Sequence, residues 1–130
     1  MLIVDTSVWV EVLRDAEKRR VLEAAVGGSD IVLTRFTQLE LLQGSRDEHE
    51  WRLLAEHLDG QVYVEMTPRT WPEAARMYFD LRRSGKTVRS PIDCCIAQLA
   101  IEHDGELLHC DRDFEVIATL RSLKQRRLNM

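Results

Sequence analysis

The 130-residue chain has few of the features that mark membrane, secreted or disulfide-stabilised proteins. No apolar run approaches the roughly 18 residues that a transmembrane helix requires. The opening residues MLIVDTSVWV lack the basic segment and the small-residue cleavage site of a signal peptide. The three cysteines (Cys94, Cys95 and Cys110) are an odd number and lack the C-x-x-C spacing of a metal site. We therefore expect reduced, buried thiols in a cytoplasmic protein that does not associate with membranes.

Several catalytic and phosphate-binding motifs are also missing. The sequence contains neither the G-x-x-x-x-G-K nor the G-x-G-x-x-G phosphate loop, and no Ser/His/Asp arrangement with the spacing of a nucleophilic site. Three histidines fall on predicted helix surfaces, and the fourth, His109, falls on a strand where we expect it to pack against a helix. The histidine and serine chemistries are therefore poor candidates for the function.

Acidic residues outnumber basic ones overall, but positive charge is concentrated locally. The net charge of −4 argues against a protein that attracts nucleic acid over its whole surface. Two stretches are nevertheless basic, one around residues 76–89 and one from residue 119 to the end. Ordinary solvated helix faces explain most such clusters. The alternative is contact with an anionic backbone, for which the candidates are Arg82, Arg83, Lys86 and Arg89.

Short apolar runs alternate with helical patterns along the chain. Strands are predicted at 2–4, 31–33, 62–66 and 106–110, with a weak fifth signal within 120–128. Helices are predicted from residue 6 to 26 with a break near 14–15, at 37–43, 47–58, 71–84, 91–103 and shortly after 111. Such alternation favours an α/β fold, specifically a three-layer α/β/α sandwich around a parallel sheet of four or five strands. The length fits a single domain over residues 1–130.

Local signals assign caps and inward faces to these helices. Thr37-x-x-Glu40 has the form of a capping box. Ser90 followed by Pro91 predicts a helix start that places Asp93 in the first turn. The inward-facing residues are predicted to be Trp51, Leu54, Ala55 and Leu58 on one helix, Ala74, Ala75, Tyr78 and Leu81 on the next, and Ile92, Ile96, Leu99 and Ala100 on the third.

Acidic residues follow several predicted strands at the point where a helix begins. They are Asp5, Glu40, Asp93 and Asp111, with Asp113 close behind the last. Each of them, taken alone, is explained by helix capping or by the favourable interaction of a negative charge with a helix N-terminus. Taken together they predict an acidic pocket, because these positions lie at one edge of a parallel sheet. Ser90 and Thr37 are expected to fill two of the cap positions, which leaves Asp93 and Glu40 free.

Carboxylates packed this closely require protons or a divalent cation between them. Mg²⁺ prefers hard oxygen ligands, and Mn²⁺ accepts the same ones. One or two such ions can activate a water and stabilise the leaving oxygen in phosphodiester cleavage. The hydroxyls of Thr6 and Ser7 lie beside the first acid and are accessory candidates. The pattern therefore favours a metal-dependent phosphodiesterase.

Four segments of the chain resemble those of the PIN-domain ribonucleases, and within them those of the VapC toxins of bacterial toxin–antitoxin pairs. The segments are LIVDTSVWVE, TQLELLQG, SPIDCCIAQLA and LLHCDRDFEVIA. They occur in the order and at the spacing expected of that family, and together they cover nearly the whole chain.

The resemblance implies an endoribonuclease that depends on one or two Mg²⁺ or Mn²⁺ ions. By position, Asp5, Glu40 and Asp93 match the three principal acids of the family. Asp111 is the better match for the fourth acid. Asp113 either shares the second metal with Asp111 or takes the place of Asp111. The hydroxyl that the family carries beside its first acid corresponds to Thr6 or Ser7. The implied partners are an RNA substrate, a second copy of the chain in a homodimer, and an inhibitory VapB-type antitoxin.

Two other functions remain open on the sequence alone. A phospho-receiver signalling domain has similar length and parallel strands, but it requires an acidic pair after the first strand, where this chain has Asp5-Thr6-Ser7. A non-catalytic dimerisation module, in which every acid is a cap, is the third interpretation. In that case a divalent cation would not raise the melting temperature.

Overall fold

The computed structural model describes residues 1–130 and contains five strands and seven helices. Strands and helices alternate along most of the chain, as the sequence predicts. The elements are β1 (Leu2–Val4), α1 (Thr6–Arg14), α2 (Lys18–Val26), β2 (Ile31–Thr34), α3 (Arg35–Gln43), α4 (Glu48–Asp59), β3 (Tyr63–Val64), α5 (Thr70–Arg83), α6 (Pro91–Glu102), β4 (Glu106–His109), α7 (Arg112–Ala118) and β5 (Gln125–Arg127).

The five strands form one parallel sheet with the order β3-β2-β1-β4-β5. The first strand therefore lies in the centre, paired with β2 on one side and β4 on the other. The weak fifth signal is confirmed as β5, and β3 occupies an edge as its alternating pattern predicted. β3 is shorter than predicted, because only Tyr63 and Val64 are strand residues.

Helices cover both faces of the sheet, which confirms the three-layer sandwich. Successive residues of β1 point to opposite faces. On one face Ile3 and Leu107 pack against α5, α6 and α7 through side chains such as Met77 and Phe114. On the other face the buried side chains of α1 to α4 form two smaller clusters with the alternate strand residues, Leu2, Val4, Leu33 and Leu108 among them. Burial on both faces explains why the central strands are continuously apolar.

The predicted capping box at Thr37 is wrong by one helical turn. Helix α3 begins at Arg35, and its N-cap is Thr34, whose hydroxyl accepts a hydrogen bond from the backbone N–H of Thr37. Strand β2 runs directly into the helix, so Thr34 is the last residue with an extended backbone and takes the cap position. Thr37 is consequently inside the helix and fully buried, where its hydroxyl is available for a long-range contact.

Three predicted inward positions are wrong. Trp51 and Ile92 are 44% and 39% exposed, and Ala75 is also exposed. In α5 the buried stripe is Ala74, Met77 and Leu81, because the helix packs along α6 with a spacing of three and four residues. In α6 the buried stretch starts after Asp93, at Cys94, since the first turn projects beyond the sheet edge.

All three cysteines are free thiols, as predicted, with Cys94 and Cys95 buried and Cys110 half-buried. None of the seven helices combines the length and apolar character that crossing a membrane demands.

Candidate active site

The sheet order brings the carboxyl ends of β1 and β4 side by side. The chain leaves β1 toward β2 on one side, whereas β4 lies on the other, so the order reverses between β1 and β4. In open parallel sheets such a switch point leaves a crevice at the carboxyl ends of the strands. Asp5 follows β1 directly and Asp111 lies two residues beyond β4. Helix α6 leads into β4, so its N-terminal turn, with Asp93, lies at the same edge.

Three of the five predicted acids form a cluster of the size that holds a cation. One carboxylate oxygen from each of Asp93, Asp111 and Asp113 lies within 4.8 Å of the others. Asp113 is 5% exposed, whereas Asp93 and Asp111 are half-buried. Negative groups this close to one another repel in the ionised state, so the cluster requires compensating protons or positive charge.

The repulsion is visible in the ionisation of Asp93. Burial, followed by the negative charges of Asp111, Asp5 and Asp113, raises the pKa of Asp93 to about 7. The positive charge of Arg89 opposes this rise. No hydrogen bond to the Asp93 side chain is present, because Ser90 fills the cap position of α6, as the sequence predicted. Strongly shifted pKa values in a crevice are typical of functional sites.

Asp5 is held by the serine two residues further on. One of its oxygens accepts hydrogen bonds from the backbone N–H of Ser7 at 3.0 Å and from the Ser7 hydroxyl at 2.6 Å. The Ser7 oxygen in turn accepts a hydrogen bond from the backbone N–H of Cys110 at 2.9 Å. Ser7 therefore joins the ends of β1 and β4 across 103 residues of sequence. Burial raises the pKa of Asp5, and the hydrogen bonds from Ser7 oppose that rise.

Glu40 lies on α3 and is linked to the start of α1 by hydrogen bonds that involve two threonines. The hydroxyl of Thr6 is hydrogen bonded to a Glu40 carboxylate oxygen at 3.0 Å and to the hydroxyl of Thr37 at 2.9 Å. Burial raises the pKa of Glu40, and the negative charge of Asp5 raises it further. The negative charge of Asp5 contributes to raising the pKa of both Glu40 and Asp93, so it links α3 electrostatically to the cluster of three aspartates. The sequence did not reveal the role of Thr37, because the capping-box pattern offered a sufficient local explanation.

His109 positions the backbone before the fourth acid. Its Nδ1 accepts a hydrogen bond from the backbone N–H of Asp111 at 3.1 Å, so the second ring nitrogen carries the proton and lies 2.6 Å from the side-chain oxygen of Gln125. The ring is fully buried and packs against Phe114 at 5.0 Å, as the sequence predicted. Its hydrogen bond to Asp111 was not anticipated, since a strand histidine is most simply a core residue.

The predicted basic residues differ in their surroundings. Arg89 lies in the pocket, where its guanidinium pairs with Asp111 and Asp113. Lys86 bonds to the hydroxyl of Thr119. Arg82 and Arg83 are exposed on the last turn of α5, where they lie over the rings of Tyr78 and Phe79 respectively. The loop between α5 and α6 connects these cations to the acidic cluster.

A family model described as the PIN domain matches residues 2–120 of the chain. The chain belongs to the PIN-domain family. The order of its elements and the acidic crevice agree with the resemblance drawn from its sequence motifs.

Curated relatives of this PIN-domain protein align over nearly its full length. It is 34% identical to the VapC ribonuclease Mb1587 of Mycobacterium bovis, with 95% of this chain and 96% of the relative covered. The ribonuclease VapC11 of Mycobacterium tuberculosis matches with the same figures. The ribonuclease VapC51 of the same species is 31% identical over 118 residues, covering 91% of this chain and 85% of the relative.

Solved structures of distant sequence share the fold. The structure of VapBC-1 from nontypeable Haemophilus influenzae matches this PIN-domain protein with a TM-score of 0.78 at 18% identity, covering 97% of this chain and 96% of the other. VapBC2 from Rickettsia felis, bound to a promoter DNA fragment, gives a TM-score of 0.77 at 14% identity and covers 98% of both chains. These similarities show that the architecture is shared along the whole chain.

Proposed function

We propose that this PIN-domain protein is a metal-dependent endoribonuclease that hydrolyses RNA phosphodiesters and acts as the toxin of a toxin–antitoxin pair. In this proposal residues 1–130 function as a single nuclease domain. The supporting observation is the convergence of Asp93, Asp111 and Asp113 within 4.8 Å at the switch point of the sheet. The relatives named as VapC ribonucleases, at 34% identity over the chain, support the same function.

The cluster fits a divalent cation of the Mg²⁺ or Mn²⁺ type. Its donors are carboxylate oxygens with hydroxyls nearby, which are hard ligands that suit both ions. Burial and the neighbouring carboxylates raise the pKa of Asp93 to about 7, and a cation bound beside it would favour its ionised form. Asp93, Asp111 and Asp113 would hold the first ion, with Asp5 and Glu40 completing the set and serving a second ion if one binds.

A divalent cation, when bound, offsets negative charge on the scissile phosphate and lowers the pKa of the attacking water. The side chains of the protein supply the remaining functions. Ser7 holds Asp5 and Thr6 holds Glu40, so both carboxylates are oriented before substrate arrives. When a single ion occupies the three-aspartate cluster, Glu40 is not one of its ligands, and its raised pKa suits it to accept the proton of the attacking water. In-line attack by the resulting hydroxide would form a new P–O bond while the P–O bond to the leaving oxygen breaks, and the leaving oxygen would take a proton from solvent.

Four cations near the pocket would provide a path for the RNA backbone. Arg82 and Arg83 end α5, and Lys86 lies on the loop that leads to the first turn of α6. Together with Arg89 they place positive charge beside the acidic cluster on a chain whose net charge is negative. Their guanidinium and ammonium groups would neutralise phosphates on either side of the scissile one, and binding would weaken with salt accordingly.

An antitoxin of the VapB type and a second copy of this chain are the proposed protein partners. A groove of about 650 Å³ lies among α1, α2 and α4, and most of its lining is apolar, including Trp9, Leu13, Leu22 and Leu53. Leu13 and Leu53 are more than half exposed, an arrangement typical of a surface that a partner covers. We assign this groove to the antitoxin. A further exposed apolar stripe on α5, with Trp71 and Phe79, is the proposed dimer surface.

The nuclease is tested with purified protein and a labelled RNA that contains both single-stranded and structured segments. We expect cleavage with Mg²⁺ or Mn²⁺, none in EDTA, and recovery when the cation is returned in excess. Asp93→Asn should reduce the rate at least about 100-fold, because a neutral amide binds the cation weakly and leaves the cluster incomplete.

Lys124→Gln is the control, since Lys124 pairs with Asp104 at 2.6 Å on an exposed surface at the opposite, amino edge of the sheet, where β4 and β5 begin. Cleavage that persists in EDTA would contradict the metal requirement. Labelling of an aspartate by a small phosphodonor would instead favour the phospho-receiver alternative, and binding of neither cation nor RNA would favour the dimerisation module.

A further inference from the structure

One cation of the protein lies among the acids that are proposed to bind metal. The backbone N–H of Arg89 and its Nε both donate to the same oxygen of Asp113, at 3.0 Å and 3.1 Å. The Nη2 end of the guanidinium pairs with an oxygen of Asp111. The Asp111 and Asp113 side chains are 17% and 7% exposed, whereas that of Arg89 is 74% exposed. The guanidinium therefore covers the two acids from the solvent side.

The two contacts of Arg89 differ in how strongly the surrounding structure constrains them. The contact with Asp113 includes the backbone, and the backbone is anchored on both sides. Val88 is 3% exposed in the main core, and Ser90 caps α6 by accepting the N–H of Ile92. The contact with Asp111 involves only the tip of a long, exposed side chain. A change at the pocket can therefore release the Asp111 end while the Asp113 end stays in place.

Arg89 and a divalent cation would require the same carboxylates. Asp111 and Asp113 supply two of the three oxygens in the 4.8 Å cluster, and the third comes from Asp93, to which Arg89 is not bonded. Without any cation, the three carboxylates repel each other. With Arg89 in place, its single positive charge offsets one of the three negative charges, and charge-assisted hydrogen bonds hold Asp111 and Asp113. A positive guanidinium also opposes the approach of a second positive charge.

We propose that Arg89 is a built-in competing cation of this site. It holds Asp111 and Asp113 together when no metal is present, and it gives up Asp111, while keeping Asp113, when a divalent cation binds. Arg89 is thus a positioning residue that keeps the pocket assembled and limits its metal affinity. This inference rests on the metal site of the proposed function. The released guanidinium stays tethered beside the pocket, where it can contact the RNA backbone.

The test compares Mn²⁺ binding by the full-length protein and by Arg89→Gln, using calorimetry and the electron paramagnetic resonance signal of free Mn²⁺. Removing the competitor should tighten Mn²⁺ binding about tenfold, within the usual range of coupling between two sites. In EDTA the variant should melt at a lower temperature than the parent protein, and saturating Mn²⁺ should raise its melting temperature by more. Lys124→Gln, which alters an exposed ion pair with Asp104 at the amino edge of the sheet, should change neither quantity.

The directions of these changes in Mn²⁺ affinity and melting temperature distinguish competition from a merely structural role. A salt bridge that only stabilised the fold would, when removed, lower the melting temperature with and without Mn²⁺ and weaken the binding of Mn²⁺. Arg89→Lys distinguishes charge from contact, because it keeps the positive charge but loses the fork that bridges two carboxylates. We expect its Mn²⁺ affinity to fall between those of the parent and Arg89→Gln. An affinity for Mn²⁺ that is unchanged or weaker in Arg89→Gln would overturn the proposal.

A second measurement needs no variant and remains decisive if Arg89→Gln fails to fold. The ¹⁵N resonances of the Arg89 side chain report on its contacts in the parent protein. On titration with diamagnetic Mg²⁺, the Nε–H signal should persist, while rotation about the Cζ–Nη bonds should become faster as the Nη2 end leaves Asp111. Unchanged rotation at saturating Mg²⁺ would overturn the proposal. Absence of any Mg²⁺ or Mn²⁺ binding to the parent protein would instead refute the proposed metal site itself.

Discussion

At the scale of single residues, capping and ligand binding are compatible roles for one aspartate. Asp5 caps α1 with the oxygen that accepts the two hydrogen bonds from Ser7, and its other oxygen makes no hydrogen bond. Asp111 caps α7 with one oxygen and meets Arg89 with the other. The cap interpretation and the metal interpretation of the sequence were therefore not true alternatives, because a carboxylate has two acceptor atoms.

Asp93 makes the stability of the metal-free protein depend on pH. An unfolded aspartate loses its proton near pH 4, whereas folded Asp93 keeps it up to about pH 7. Between these values the folded state binds more protons, so the free energy of unfolding falls as the pH rises. We expect the melting temperature in EDTA to be lower at pH 8 than at pH 6. Asp93→Asn should remove most of this difference, as measured by differential scanning calorimetry.

Metal binding should show the opposite dependence on pH. A cation displaces the proton of Asp93, so Mn²⁺ affinity should rise about tenfold from pH 6 to pH 8, following the ionised fraction of a group with a pKa of about 7. The melting temperatures measured in EDTA provide the check on Asp93. The assignment would be wrong if the melting temperature rose between pH 6 and pH 8 in the parent protein but fell over the same range in Asp93→Asn.

At the scale of secondary structure, the first turn of α6 is the element on which the site depends most. Ser90 caps it, Pro91 begins it, and Asp93 stands at its third residue. Pro at the first helical position is pre-organised and leaves no backbone donor unsatisfied there. The helix N-terminus also favours the negative charge of Asp93. A short local pattern thus positions the most strongly perturbed carboxylate of the pocket.

Loss of the Ser90 cap should weaken both the fold and the site. Ser90→Ala removes the acceptor for the N–H of Ile92, and we expect the free energy of unfolding to fall by about 1 kcal/mol in urea titrations. Mn²⁺ affinity should fall as well, because the turn that carries Asp93 frays. Ser90→Asn supplies an equivalent cap and should behave like the parent protein. Equal stability of the alanine and asparagine variants would show that the cap contributes nothing.

At the scale of the whole molecule, catalysis and inhibition are assigned to different regions. The acidic pocket lies at the carboxyl edge of the sheet between β1 and β4, and the apolar groove lies among α1, α2 and α4. Helix α1 contributes to both, since Thr6 and Ser7 face the pocket and Trp9 and Leu13 line the groove. A partner bound in the groove therefore contacts the same helix that carries Thr6 and Ser7.

Charges placed in the groove should separate antitoxin binding from folding. Leu13→Glu and Leu53→Glu alter side chains that are 56% and 57% exposed, so the free energy of unfolding should change by no more than about 0.5 kcal/mol. Capture of the antitoxin co-expressed from the same operon should fall at least about tenfold, because a carboxylate would be buried against an apolar segment. Val62→Glu is the control, with a 64% exposed side chain outside the groove. Undiminished capture by both groove variants would place the antitoxin elsewhere.

The sequence by itself determined the architecture. It also predicted which acidic residues lie at the carboxyl edge of the sheet. Apolar runs of strand length, helical periodicity, and the caps at Asp5, Ser90 and Asp111 are local signals, readable because each depends on neighbours within a few residues. The α3 start at Thr34 was missed, since two threonines three residues apart offered two possible caps and the choice depended on where β2 ends.

Only the tertiary structure decided which side chains of the pocket are hydrogen bonded to one another. The hydrogen bonds from Arg89 to Asp113, from Thr6 to Glu40 and from Cys110 to Ser7 span 24, 34 and 103 residues of sequence. Their existence depends on the sheet order and on the path of the loop before α6, which no local pattern encodes. The physical reason is that a side chain's charge is a property of the residue, whereas the partner that neutralises it is a property of the packed chain.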